Sequence, residues 1–276
     1  MNQPRHLILL LTALIAGALV LVGCQPAAET TAEPEAAEET AATPAPEPAG
    51  EIMLSTLSDS PQFPGAMLTL TAPAADRVEP GTVTLDFAVE SFELGAQSDD
   101  ATGKGIANSA DGQHIHVIVD NGPYSAHYEP TAQIELDAGS HVVLAFLSRS
   151  YHESVKEPGA WVLRELLVGD AAESVVDASA PHLFYSRPKG TYAGADAERI
   201  MLDFYVLNAE LSMTGTRVRV SVEGQEFTLG EWRPYVLEGL PDGEVDITLQ
   251  LIDANGDPVP GPFNTVTRTI VVDRAG

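Results

Sequence analysis

The chain has 276 residues, of which 40 are Asp or Glu and 14 are Lys or Arg, so its formal net charge is −26 at pH 7. A surface this acidic repels nucleic acid and anionic lipid, which excludes polyanion partners. The only cysteine is Cys24, so no disulfide can form within one chain.

Residues 1–23 have the pattern of an export signal. Arg5 and His6 give a basic start, and an almost unbroken apolar run follows over 7–22. This run has about 16 residues, fewer than the ~20 that a membrane-spanning helix needs. It ends in Leu21-Val22-Gly23-Cys24, which resembles a bacterial lipobox. The resemblance implies cleavage before Cys24, lipidation of its thiol, and an extracytoplasmic protein held on the membrane by a lipid anchor.

Residues 24–60 are predicted to form a tether between this anchor and the folded part of the chain. From Gln25 to Gly50 the segment consists largely of Pro, Ala, Thr and Glu, and it has no aromatic or basic residue. Such a composition buries too little apolar surface to offset its chain entropy. Gln25 follows the cysteine where an aspartate would resemble an inner-membrane retention signal, so we expect the outer membrane or the cell surface.

The remaining part of the chain contains an internal duplication. The segment 85–89 matches 202–206 at an offset of 117, whereas 112–117 matches 215–220 at an offset of 103. The first copy therefore carries a longer loop, at 96–111. The length suits two ordinary domains, which we place at 61–170 and 171–276.

Both copies contain short runs rich in Val, Ile, Leu, Thr and Phe that are separated by Gly, Pro, Asn and Asp, a pattern typical of antiparallel β-sandwiches. In the first copy we predict strands near 66–72, 82–90, 113–120, 123–128, 131–137, 140–148 and 159–168. In the second copy we predict strands near 182–187, 199–207, 216–223, 225–229, 234–238, 244–252 and 262–272.

Particular segments resemble known proteins. The stretch 239–256 resembles the closing hairpin of bacterial immunoglobulin-like domains. The segments 112–130, 146–155 and 260–268 resemble those of uncharacterised bacterial envelope lipoproteins with tandem domains of this kind. The resemblance implies an all-β chain with two tandem immunoglobulin-like (fibronectin III-like) antiparallel sandwiches, and it transfers no established activity.

Five of the seven histidines belong to the first copy, and the second copy has no histidine at the matching positions. The five are His114, His116, His127, His141 and His152. Their counterparts are Arg217, Arg219, Glu231, Val245 and Gly256. The sandwich therefore folds without these histidines, and they mark a property of the first domain.

Strand alternation assigns faces to these side chains. Ile115 and Val117 are predicted to point into the core, so His114 and His116 share the outer face, close enough to bind one ion. Neutral imidazole is a good ligand for copper and zinc, and either His127 or His152 could complete the site. In the alternative interpretation the histidines anchor loops and pair with nearby carboxylates. His141 is predicted to face the core.

The outer face of the first domain is also unusually apolar. Val142, Leu144 and Phe146 stand where the second copy has polar residues, so this face needs a cover. The long loop, the second domain and an external ligand are the three candidates. With Ile118 and Tyr128, these residues form the predicted binding surface.

These observations predict a non-enzymatic binding or scaffold lipoprotein, with recognition centred on the first domain and an envelope protein or a glycan as partner. The alternative is an envelope protein that binds copper or zinc through His114, His116, His127 and His152. A metal-dependent enzyme is the third hypothesis. The chain has no Gly-x-Ser-x-Gly turn that would indicate a serine nucleophile.

Overall fold

The computed structural model describes residues 51–170, 172–174 and 176–276. The predicted signal, Cys24 and the tether as far as Gly50 lie outside these residues. Across the described ranges, no helix combines the length and the apolar character that crossing a membrane requires. The described residues are built almost entirely of β-strands, with one short helix, α1 (Ala101–Lys104), and a 3-10 turn at Gly194–Ala197.

The described part of the chain contains seventeen strands. The first nine are β1 (Met53–Thr56), β2 (Met67–Ala72), β3 (Arg77–Val78), β4 (Gly81–Glu90), β5 (His114–Val119), β6 (Ser125–His127), β7 (Thr131–Leu136), β8 (Gly139–Ser148) and β9 (Trp161–Val168). The others are β10 (His182–Arg187), β11 (Gly190–Ala193), β12 (Arg199–Leu207), β13 (Arg217–Val222), β14 (Gln225–Leu229), β15 (Tyr235–Glu238), β16 (Gly243–Ile252) and β17 (Thr265–Asp273).

The strands form two sandwiches with the same internal order. In the first sandwich a sheet of order β2-β4-β7 faces a sheet of order β3-β9-β8-β5-β6. In the second, β1-β15-β12-β10 faces β11-β17-β16-β13-β14. Apart from β1, each strand of the first sandwich has a counterpart at the same position in the sheets of the second. This division of strands between two sheets is that of immunoglobulin-like sandwiches, so the predicted fold class is confirmed.

Alternation along β5 and β8 follows the prediction. Ile115, Val117, Val143 and Leu147 lie in the core of the first sandwich. The intervening residues of both strands therefore point away from this core. His141 lies near the start of β8, where its exposure is intermediate. Its ring contacts the carboxylate of Asp120 at the surface, so the prediction that His141 faces the core is wrong.

The segment 51–60 corrects the predicted tether, because part of it is a strand. β1 pairs antiparallel with β15, with Met53 opposite Glu238 and Thr56 opposite Tyr235. Ile52 and Leu57 are 2% and 1% exposed, so burial of these apolar side chains holds the segment on the second sandwich. The tether predicted from composition therefore extends too far towards the C-terminus.

The apolar outer face of the first sandwich is covered by the second. Ile118, Val142, Leu144 and Phe146 are at most 2% exposed. They pack in one cluster with residues of the second sandwich, namely Phe184, Tyr205, Leu207 and Phe263. Of the three candidate covers, the second domain is the correct one. The prediction that these four residues form a binding surface for an external partner is wrong, because the partner is another part of the same chain.

Buried hydrogen bonds accompany this apolar contact. The side-chain amide of Asn121 donates to the carbonyl oxygens of Leu183 and Phe263, each at 3.0 Å, and accepts from the backbone N–H of Tyr185 at 2.8 Å. The guanidinium of Arg268 donates in return to the carbonyl oxygen of Asn121 at 3.2 Å. Because a buried polar group is costly when it is unpaired, these contacts fix how the sandwiches meet.

The long loop of the first sandwich lies beside this interface. It contains α1, and Ala101 and Ile106 pack with Leu57, Met201 and Val236 in a small separate cluster. The loop thus covers part of the sheet that contains β12 and β15. It does not cover Val142, Leu144 and Phe146.

Candidate metal centre

Three of the predicted ligands lie together where the two sandwiches meet. β5 places His114 and His116 two residues apart on its outer face, and both side chains are fully buried. The third is His152, which lies beyond the end of β8 in the turn that follows Arg149. The sequence left the third ligand open between His127 and His152, and the structure brings His152 to the pair.

The backbone of His152 is in a conformation that side chains seldom adopt. Its φ is +69°, within the left-handed region, and its N–H donates to the carbonyl oxygen of Arg149 at 2.9 Å. The matching residue of the second sandwich is Gly256, with a φ of +90° and the same type of bond to Asp253. Glycine adopts this conformation freely, whereas other residues are strained in it. The first copy therefore has a histidine where its twin has the residue best suited to the turn.

The nitrogen atoms of the three imidazoles converge. The Nε2 atoms of His114 and His116 are 2.8 Å apart, and Nδ1 of His152 is 3.1 Å from Nε2 of His114. One nitrogen from each ring can be chosen so that all three lie within 4.8 Å of one another. Four ligands about 2.1 Å from a tetrahedral ion are separated by roughly 3.4 Å. The two short separations would therefore widen by about 0.3–0.6 Å on binding one ion, and a pair as far apart as 4.8 Å would close by about 1.4 Å.

The tautomer of His114 follows from its backbone contact. Its Nδ1 lies 2.8 Å from the carbonyl oxygen of Gly112, which can only accept, so Nδ1 carries the proton and Nε2 keeps a lone pair. Gly112 is suited to this role because its φ is +87° and a Cβ atom there would lie 2.3 Å from the carbonyl oxygen of Gly95. The backbone thus orients the first imidazole with its lone pair towards the other two.

His116 is enclosed by aromatic rings. Its ring stacks on Tyr124 with 3.6 Å between centroids, and the edge of Phe146 approaches it at 5.2 Å. Its Nδ1 atom is buried and has no hydrogen-bond partner among the described residues. A buried ring nitrogen without a partner is unfavourable in the folded protein, so Nδ1 lowers the stability that His116 contributes to the fold.

Burial and nearby cations keep all three imidazoles uncharged. Burial lowers the pKa of His114 to about 4, and its hydrogen bond to Gly112 only partly opposes this. Burial, followed by repulsion from neighbouring histidines, Arg187 and Lys189, holds the pKa of His116 well below its ordinary value. Burial and then Arg187 lower the pKa of His152. The neutral form of imidazole is the one that binds metal, so each ring has one nitrogen with a lone pair near neutral pH. Nε2 of His114 uses its lone pair to accept a hydrogen bond from a neighbouring histidine, and a bound ion would replace that proton.

The two cations come from the second sandwich and reach the site through Tyr124. Nε of Arg187 donates to the Tyr124 hydroxyl at 3.1 Å, and Nζ of Lys189 donates to the Tyr124 carbonyl oxygen at 2.6 Å. Arg187 also donates to the hydroxyl of Tyr192 at 2.7 Å. These partners are uncharged oxygens. Both cations therefore keep their positive field beside the histidines.

The other two histidines of the first sandwich have different surroundings, and of the two only His141 pairs with a carboxylate of the described residues. His127 lies outside the convergent group, and its Nε2 is 2.7 Å from the hydroxyl of Ser125. His141 approaches Asp120 at 2.6 Å. Tyr128 is half-buried, with its ring 5.0 Å from that of His114 and its hydroxyl bonded to Ser109 in the long loop. Of these three residues, Tyr128 has a ring that contacts the histidine group.

Sequence reasoning missed Tyr124, Arg187 and Lys189. The duplication gave no warning of Tyr124, because it lies in the turn between β5 and β6, where the two copies differ. Arg187 ends β10, and Lys189 follows it. Their approach to the histidines depends on how the sandwiches dock. One feature of the sequence could have indicated them: Arg187 and Lys189 are only two residues apart in a chain that has 14 basic residues in all.

Comparison with known proteins gives similarity to solved structures only. No protein-family model and no curated protein matches the chain. The fibronectin(III)-like modules of Clostridium thermocellum CbhA share 16% identity over 75% of this chain and 94% of theirs, with a TM-score of 0.27. The two tandem V-type regions of the chitin binding protein VCBP3 share 8% over 75% and 99%, with a TM-score of 0.23. The D00-D0 domain of intimin shares 14% over 75% and 98%, with a TM-score of 0.23.

Proposed function

We propose that the chain is an extracytoplasmic lipoprotein that binds one transition-metal ion, copper or zinc, without catalysing a reaction. The ligands are His114, His116 and His152, and the lipid anchor is at Cys24. The observation that carries the proposal is the convergence of three neutral imidazoles within 4.8 Å, two of them fully buried and the third half-buried. Copper and zinc are the metals that such nitrogen donors suit best.

The conformation of His152 supports a role beyond folding. A non-glycine residue at positive φ costs of order 1 kcal/mol, and the second sandwich avoids that cost with Gly256. The fold does not need the histidine pair on β5 either, because the second copy has Arg217 and Arg219 at these positions and the same strand order. The first sandwich thus has three histidines that its fold does not need.

Recognition of an envelope protein or a glycan through the apolar outer face is the less favoured function. The face of Ile118, Val142, Leu144 and Phe146 is buried under the second sandwich. Such a partner would have to displace an interface that also contains the buried hydrogen bonds of Asn121. The histidine group therefore provides the better candidate for a binding site.

The test is a metal titration of the purified full-length chain after iodoacetamide treatment, which blocks any free thiol of Cys24. We expect one tight equivalent of zinc or copper, confirmed by elemental analysis after gel filtration. The double variant His114→Ala/His116→Ala should lose it. His127→Ala is the matched control, because His127 lies on the adjacent strand but outside the group, and it should bind as the parent does. Failure of the parent chain to retain any metal would contradict the proposal.

A further inference from the structure

We propose that the site formed by His114, His116 and His152 selects monovalent copper over divalent zinc. This inference rests on the proposed function and specifies the ion. Three properties of the site carry it: the charge that surrounds it, its burial, and the number of its donors.

The surrounding charge is positive. All three donors are neutral imidazoles, and no carboxylate from the described residues belongs to the convergent group. Arg187 and Lys189 both bind Tyr124, whose ring stacks on His116, and Nζ of Lys189 is 4.1 Å from the centroid of that ring. Coulomb repulsion grows in proportion to the charge of the ion, so a fixed cation opposes a divalent ion twice as strongly as a monovalent one.

Burial acts in the same direction. His114 and His116 are fully buried, and Tyr124 is 4% exposed, so an ion at the nitrogens is removed from most of its water. The cost of taking an ion out of water grows with the square of its charge. Zinc sites commonly offset this cost with thiolate or carboxylate ligands, which are absent from this group.

The donors are also few. The convergent group offers three nitrogens, so zinc, which is usually four-coordinate, would need a water molecule as its fourth ligand in this enclosed site. The hydroxyls of the two tyrosines beside the group are already engaged, because that of Tyr128 bonds to Ser109 and that of Tyr124 accepts from Arg187. Monovalent copper is a d¹⁰ ion of lower charge that is stable with three donors. The site therefore satisfies copper(I) without a further ligand.

The first experiment compares affinities for the two ions on the thiol-blocked, full-length chain. Zinc is titrated against a chromophoric zinc chelator, and copper(I) is titrated under argon against bicinchoninate. We expect copper(I) to bind at least tenfold more tightly than zinc, and the copper complex to remain silent in electron paramagnetic resonance after brief exposure to air. Zinc binding as tight as copper(I) binding would overturn this inference and leave the metal site intact. Absence of both ions would overturn the proposed function as well.

The second experiment tests the electrostatic cause. Lys189→Gln removes a half-buried positive charge without touching a ligand. If copper(I) then binds about threefold more tightly, zinc should bind about tenfold more tightly, because the gain in free energy doubles with the charge of the ion. Arg219→Gln is the matched control, since it removes one positive charge from the outer face of the second sandwich and should change neither affinity. Equal gains for the two ions in Lys189→Gln would contradict the electrostatic argument.

Discussion

The aromatic ring of Phe146 packs against that of Tyr205, with 4.6 Å between centroids and 34° between ring planes. The first residue belongs to β8 of one sandwich and the second to β12 of the other, and both are fully buried. The Tyr205 hydroxyl donates to the carbonyl oxygen of Val155, so its polar end is also satisfied within the first sandwich. This pair therefore joins the two copies at the centre of their contact.

Phe146→Ala should lower the free energy of unfolding by about 3–5 kcal/mol, because it leaves a cavity between the sandwiches. Equilibrium unfolding in urea measures this loss. Gln250 is the matched control, since it occupies the corresponding position on the uncovered face of the second sandwich, and Gln250→Ala should cost about 0.5 kcal/mol or less. Similar losses for the two variants would contradict a packed interface.

Much of the architecture was predictable because both copies repeat the same alternation. The strands predicted at 182–187 and 199–207 coincide with β10 and β12. The outward placement of His114 and His116 followed from the inward placement of Ile115 and Val117, which the structure confirms. Periodicity of two residues reports which face is buried, and this information is local to each strand.

The cover of the first sandwich was harder to predict, because it depends on contacts between distant strands. Its signal was present in β10 and β12, which are buried along their whole length apart from the half-buried Arg199. The matching β4 alternates between buried and more exposed residues. A strand that is apolar on both faces in one copy alone indicates a second contact surface. That surface includes Phe184 and Tyr205.

The choice of His152 as the third ligand also had a signal in the duplication. His152 aligns with Gly256, and both have positive φ in the same turn. A histidine in place of a turn glycine indicates that the imidazole has a function that outweighs the backbone strain of a positive φ. The approach of Arg187 and Lys189 could not be predicted, because it requires the docking of the sandwiches.

A second prediction concerns the ion pair between Lys156 and Asp203, whose Nζ and Oδ1 atoms are 2.6 Å apart. The Asp203 side chain is fully buried, so Lys156→Met leaves a carboxylate without its counter-charge. We expect a loss of about 2–4 kcal/mol in urea unfolding. The double variant Lys156→Met/Asp203→Asn should be more stable than Lys156→Met, because the amide removes the uncompensated charge. A double variant that is less stable than the single one would refute this account.

A third prediction concerns Asn121, whose side chain makes three hydrogen bonds to the backbone of the second sandwich. Asn121→Ala leaves two carbonyl oxygens and one N–H buried without partners, and we expect a loss of about 3 kcal/mol. Asn255 is the control, because it lies on an exposed hairpin, and Asn255→Ala should stay within about 0.5 kcal/mol of the parent. Thermal unfolding of both variants checks the difference.

A fourth prediction separates stability from binding at His116. In the metal-free protein the substitution His116→Phe removes a buried Nδ1 that lacks a partner, and it also removes the contact of Nε2 with His114, so the variant should unfold at about the same urea concentration as the parent. At a free metal concentration of about 100 times Kd, the parent should gain about 2.7 kcal/mol, whereas the variant should gain nothing. A metal-free variant that is clearly less stable than the parent would show that the histidine is needed for the fold.

The pairing of β1 with β15 has a consequence for the order in which the molecule is assembled. Met53 is among the first of the described residues to leave the ribosome, yet its partner Glu238 is among the last. The first sandwich can therefore form early, but its apolar face and β1 remain without partners until the second sandwich is nearly complete. A truncated product that ends before Tyr235 would lack the strand to which β1 pairs. Such a product would present exposed apolar surface to proteases and chaperones.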